Sequence, residues 1–167
     1  MLARVTGFFW MLCVVGGIYG YFPGKGTHLG KEALLVAGAA YLVVTVLLYV
    51  LLRPVNSTVA ALAAGFGVVG IATSGDGSFY FGIQCVLLGY LVWNSEFLPR
   101  TLGALMVLAG VAQLLFFSTL FPELASSRIA SIGYFVDGAG EIALALWLLV
   151  FGVSETAWRN AHVRQAV

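Results

Sequence analysis

The sequence predicts an all-α fold, a polytopic membrane bundle of about six transmembrane helices with the third and fourth short. Three observations lead there. The 167 residues are 61% hydrophobic and 9% charged, where a soluble domain carries about 25% charged residues. Mean hydropathy is +1.01, more apolar surface than a water-soluble fold of this length hides. Six apolar stretches recur along the chain, separated by turns rich in Gly, Pro, Asn and charge.

The first stretch, Val5–Tyr21, follows Arg4 and has the outline of a signal peptide. It lacks a small-residue cleavage site and ends in Gly16, Gly17 and Gly20 with aromatics, so it is expected to stay as the first spanning helix. Next come Ala33–Leu52, Thr58–Thr73, Phe79–Trp93, Leu102–Phe121 and Ala130–Val153. A spanning helix wants about 20 residues. The third and fourth fall short of that and meet at Ser74-Gly75-Asp76-Gly77-Ser78, a tight-turn signal, as a spanning hairpin or a re-entrant pair. His28, with Lys25, Lys31 and Glu32, is expected in the first loop.

Two proline-containing loops set helix ends. Pro54 after Arg53 stops the second helix, and Pro99-Arg100 precedes the fifth. With both termini cytoplasmic, Arg4, Arg53, Arg100, Arg159 and Arg164 fall inside, against Lys25, Lys31 and Arg128 outside. That bias is the positive-inside pattern. Tyr21, Phe22, Phe79, Tyr80, Phe81 and Phe121 gather at the outer ends, and Trp93 and Trp158 mark the inner interface. The expected organisation is a single transmembrane bundle over 1–153 and a cytoplasmic juxtamembrane tail over 154–167. The tail is expected to continue the last helix along the membrane surface, with Trp158, Arg159 and Arg164 near anionic lipid, or else to fray.

Small residues predict close helix contacts at Gly16/Gly20, Ala60/Ala64, Ala63/Gly67 and Ala139/Ala143. Internal packing is the first reading of these pairs and homo-oligomer contact the second.

The last apolar stretch holds Asp137 and Glu141, one helical turn apart, with no basic residue beside them. A charged group at the centre of an inserted helix costs roughly 2.5–3.5 kcal/mol. At least one of the two is therefore expected to keep its proton at neutral pH, and they are expected to titrate as a coupled pair. Counting about 1.5 Å per residue from the outer ends places Asp137 about 10 Å deep and Glu141 about 16 Å deep. By the same count Gln84 lies near ~8 Å, and Gln113 and Tyr41 near ~12 Å. Tyr134 shares the Asp137 face. These groups form one polar layer drawn from several helices, with nothing comparable in the inner half. The layer is either a satisfied hydrogen-bond network that locks register or the lining of a pocket open to the outer side.

The remaining chemistry is sparse. Net charge is +1, which excludes electrostatic nucleic-acid binding as a main role. Cys13 and Cys85 have no metal-ligand spacing and read as small buried hydrophobes, and His28 and His162 are too far apart in the chain for a bis-histidine haem site. No metal and no cofactor is expected, and catalytic residues are not identifiable: no nucleophile triad, phosphate loop or metal cluster is present in the sequence.

Several stretches carry a resemblance. They are Leu48-Tyr49-Val50-Leu51-Leu52-Arg53-Pro54-Val55-Asn56, then Leu88-Gly89-Tyr90-Leu91-Val92-Trp93-Asn94-Ser95-Glu96-Phe97-Leu98-Pro99-Arg100, then Leu102-Gly103 and Leu108-Ala109-Gly110, and last Gly140-Glu141-Ile142-Ala143-Leu144-Ala145-Leu146-Trp147-Leu148-Leu149-Val150 with Gly152-Val153. In this order they resemble a bacterial family of multi-pass membrane proteins known as a domain of unknown function. The resemblance implies a polytopic protein of the bacterial cytoplasmic membrane and aligns Glu141 with the family's acidic position. It does not extend to Asp137, and it implies no activity.

Three function classes follow. The first is binding or transport of a small molecule, a lipid head group or a cation or proton through an outer-half pocket with Asp137 and Glu141. The second is a structural or accessory subunit of a larger membrane complex. The third is a small enzyme using Glu141 or Asp137 as acid or base on a lipid-like substrate. The expected partners are membrane lipid and, for the first two classes, further copies of the chain or a larger complex.

Overall fold

The structure, a computed structural model, describes residues 1–73, 77–116, 122–125 and 130–165. It is all-α, with eight helices among those residues: α1 (Leu2–Tyr21), α2 (His28–Leu52), α3 (Ser57–Ala72), α4 (Gly77–Asn94), α5 (Arg100–Phe116), α6 (Pro122–Ala125), α7 (Ala130–Val150) and α8 (Glu155–Gln165). The six expected stretches correspond to α1–α5 and α7. The turn at 74–76, Phe121 and Arg128 lie outside the described residues.

Local chemistry explains the helix ends. The Thr27 hydroxyl accepts from the Gly30 amide, so α2 starts at His28, five residues before the expected Ala33. His28, Lys31 and Glu32 therefore belong to its first turns and not to a loop, and His28 Nδ1 lies 3.2 Å from Glu32 Oε1. The apolar run begins late because the first turn of α2 is polar, as a turn at a helix entrance can be. Asn56 caps α3 by accepting from the Val59 amide at 3.0 Å.

The six long helices close a ring in the order α1, α2, α3, α4, α5, α7 and back to α1. Short connections make neighbours antiparallel. We call the end holding Tyr21, His28, Thr73 and Gly77 the upper end and the end holding Arg53, Asn94 and Arg100 the lower end. α1, α2 and α7 are each long and apolar enough to cross a membrane. α3 and α5 are shorter apolar helices of 16 and 17 described residues, and α4 has 18.

Glycine sets the closest approaches. A Cβ on Gly103 would fall 2.8 Å from the Gly89 carbonyl oxygen, and one on Gly110 2.6 Å from that of Gly82. The pairs lie seven residues apart on both helices, so α4 and α5 meet backbone to backbone over two heptad-spaced points. A Cβ on Gly7 would collide with the backbone of Leu149 and Ala145, where α7 closes the ring onto α1.

The lower half is a dry core. Leu48, Leu51 and Leu52 of α2 meet Leu88, Leu91 and Val92 of α4, Met106 of α5, and Leu144 and Leu148 of α7. Trp10 of α1 joins them with its indole Nε1 buried and unpartnered. Outward faces of the ring are apolar as well, for example Phe8, Val15, Leu42, Val46, Leu62, Leu108 and Val150. An exposed apolar belt of this kind is a liability in water and a match to lipid.

The C-terminal segment does not extend α7. Gly152, at φ +73, breaks the helix while the amides of Phe151 and Gly152 both donate to the Trp147 carbonyl at 2.9 and 3.0 Å. α8 then folds back across the lower end. The Trp158 indole N–H donates to the Leu51 carbonyl at 2.9 Å, and Arg164 grips both carboxylate oxygens of Glu96 at 3.1 and 2.5 Å. That guanidinium holds the Glu96 carboxyl below its ordinary range.

Candidate functional site

The polar groups converge in the upper half of the ring. On α4, Gln84 and Cys85 are neighbours in sequence and so diverge by about 100° around the helix. Gln84 turns to α2 and α3. Its Oε1 accepts from the Tyr41 hydroxyl at 2.6 Å, and a Cβ on Gly67 would sit 2.5 Å from its amide nitrogen. Gly67 is thus the notch that admits the amide. Cys85 turns the other way, and its thiol donates to Glu141 Oε1 on α7 at 3.6 Å. On α5, Gln113 stands beside the Asp137 carboxyl of α7. Gln113 Oε1 and Asp137 Oδ1 stay buried without a partner.

Between these helices lies a cavity of about 460 Å³. Its mouth is at the upper helix ends, with Tyr21, Thr73, Gly77 and Ser78. Its floor holds Glu141, Gln113, Tyr41 and Cys13. Space is left open by two glycines: a Cβ on Gly17 or Gly38 would meet nothing within 4 Å. The Phe81 ring stands edge-on to Tyr41 with centroids 5.1 Å apart.

Of the six residues singled out from sequence, Tyr41, Gln113 and Glu141 line the cavity. Gln84 is 2% exposed and fixes the Tyr41 hydroxyl from behind. Asp137 is not among the residues that line the cavity, and its Oδ1 is buried without a partner. Tyr134 is 54% exposed on the first turns of α7, where Ile132 and Phe135 are exposed too.

Sequence reasoning passed over both cysteines. Cys85 is buried, as a small hydrophobe is, yet it also donates to Glu141. Cys13 lies on the cavity floor. The depth count that selected Gln113 also reaches Cys13, which is about 12 Å below Tyr21 along α1. Among the described residues no group of three or more His, Cys, Asp and Glu side chains could hold a metal ion.

A ring of apolar helices, three of them long enough to span, around a partly polar cavity defines a helical membrane protein. Residues 75–152, from the start of α4 to the end of α7, match a family described as a domain of unknown function (DUF4386). An uncharacterized protein of Archaeoglobus fulgidus is 32% identical, in an alignment that covers 65% of this chain and 75% of the relative. The chain belongs to the family of that archaeal protein. No solved structure matches it. The DUF4386 segment carries Gln84, Cys85, Gln113, Asp137 and Glu141.

Proposed function

We propose that this is a six-pass membrane protein that binds or carries a small polar ligand through the upper cavity, with Glu141 as the residue that meets it. The observation that carries the reading is the Glu141 carboxyl on the floor of a cavity with its mouth at the helix ends. Volumes of about 300–1,000 Å³ with a few convergent polar groups are typical of ligand sites. Asp137 lies one step back, beside Gln113 and outside the lining.

The membrane placement follows the same reading. The lower end carries Arg4, Arg53, Arg100, Arg159 and Arg164, and the described upper end carries Lys25 and Lys31. Both termini then face the cytoplasm across a bacterial-type cytoplasmic membrane, and the cavity faces outward. Such a membrane gives the apolar belt its solvent.

The test is thermal stability of purified protein across pH, with a panel of lipids, small organic solutes and inorganic cations. Wild type is expected to gain stability from at least one of them. Asp137→Asn/Glu141→Gln and the cavity-filling Gly38→Leu are expected to fold and to lose that gain. Equal stabilisation in all three proteins would put the ligand elsewhere and end the reading.

A further inference from the structure

The lining also points to a ligand class, and this step rests on the cavity being a ligand site. Its floor holds one carboxyl, Glu141, and among the described residues the lining contains no Lys, Arg or His. Three aromatic rings, Tyr21, Tyr41 and Phe81, stand around the same space. The Tyr41 ring is fixed twice, by its hydroxyl bond to Gln84 and by its edge contact with Phe81. An acid with aromatic faces above it is the environment that attracts an ammonium group: the carboxylate meets the charge and the ring quadrupoles meet its alkyl shell.

Size and donor set separate this from a bare metal ion. A hard cation takes six or more oxygen ligands at about 2.0–2.6 Å. This cavity of about 460 Å³ offers one carboxylate, Glu141, and few other oxygens in its lining. An anion finds no cationic side chain among the described residues of the lining. A neutral apolar ligand leaves the Glu141 carboxyl unanswered in the cavity, and buried polar groups left without partners are costly.

We propose that the cavity takes an organic cation, a primary or alkylated ammonium group seated between the Glu141 carboxyl and the Tyr41 and Phe81 rings. The same ammonium chemistry is offered by a soluble amine and by a choline or ethanolamine lipid head group.

The experiment uses the full chain in phosphatidylglycerol nanodiscs, which offer no ammonium group. Methylammonium, tetramethylammonium, choline and the uncharged tert-butyl isostere of choline are titrated while binding is followed by calorimetry and thermal stability. Choline or another ammonium probe is expected to bind at least about tenfold more tightly than the isostere. Glu141→Gln should erase that preference, Phe81→Leu should weaken ammonium binding, and Gly38→Leu should abolish it. Gly38→Leu guards against a folding artefact, because its side chain enters open space. Adding phosphatidylcholine or phosphatidylethanolamine to the discs then names the source: competition with choline means a lipid head group, and none means a soluble amine. An isostere that binds as well as choline, with both lost in Gly38→Leu, overturns the cation class and leaves the cavity a ligand site. Choline binding that survives in Gly38→Leu overturns the site as well. Failure of every ammonium probe to bind overturns the cation class, and the broader panel above still decides the site.

Discussion

The two halves of the ring are built from the same six helices and solve opposite problems. In the lower half, leucines from α2, α4 and α7 fill the axis until Leu91, Leu144 and Leu148 have no exposed surface. In the upper half the axis opens into a cavity, and side-chain hydrogen bonds join the helices around it. Glycine serves two opposite ends. Gly89 and Gly103 are where backbones touch, whereas Gly17 and Gly38 are where nothing does. In lipid, association comes from van der Waals packing more than from the hydrophobic effect. The lower half therefore has the means to hold the ring together, and the upper half can keep space.

The sharpest way to break that comparison is to put the same side chain on both kinds of glycine. Gly103→Leu drives a side chain into the backbone at Gly89 and Trp93. It is expected to cost upwards of about 3 kcal/mol or to prevent folding. Gly38→Leu should fold with near wild-type stability. Size-exclusion behaviour and thermal unfolding in detergent compare the two directly, and two equally damaged proteins would refute the division. Next in size is Leu144→Ala in the dry core, expected to cost about 2–5 kcal/mol. On the same helix, one turn up, Glu141→Gln should change stability by less than about 1 kcal/mol, since Cys85 can donate to the amide oxygen that replaces the carboxyl. Gly38→Ala should raise stability by up to about 1 kcal/mol, because alanine is the better helix former and its methyl enters open space.

Much of this was legible in the sequence, for reasons that differ between halves. Apolar runs located the six long helices, because a residue in lipid must be apolar whatever its neighbours are. Depth counting grouped Tyr41, Gln84, Gln113, Asp137 and Glu141 in one layer, because rise per residue is fixed. Rotation about each helix is not fixed by sequence. Counting therefore could not pair Tyr41 with Gln84 or Cys85 with Glu141, and it kept Tyr134, which the end of α7 leaves exposed. The heptad pairing of Gly82 and Gly89 with Gly110 and Gly103 escaped a search for four-residue spacing. The start of α2 was readable from Thr27 and the end of α7 from Gly152, yet hydropathy alone placed one too late and the other too far on. Ring closure through Gly7 depends on residues about 140 positions apart, and no local pattern reports that.

The smallest expected effect lies on the lower cap. Arg164 grips Glu96 with both partners well exposed, so water and salt screen the pair. The guanidinium lowers the Glu96 pKa from its ordinary 4.5, chiefly through the hydrogen bonds and then through its charge. The sign follows from that depression. The contribution is complete above the unfolded value and is lost as pH falls through the lower folded value, when the carboxylate takes up a proton and releases Arg164. Arg164→Ala should therefore be slightly less stable than wild type at neutral pH and low salt. The gap should close in acid below the ordinary carboxylate range, and at neutral pH it should close in high salt. Melting temperatures of the two proteins over a pH and salt grid make the comparison. A gap that persists in acid and in high salt would show that Arg164 holds α8 by packing of its side-chain stem and not by charge, and the lower half would then owe its cap, like its core, to contact alone.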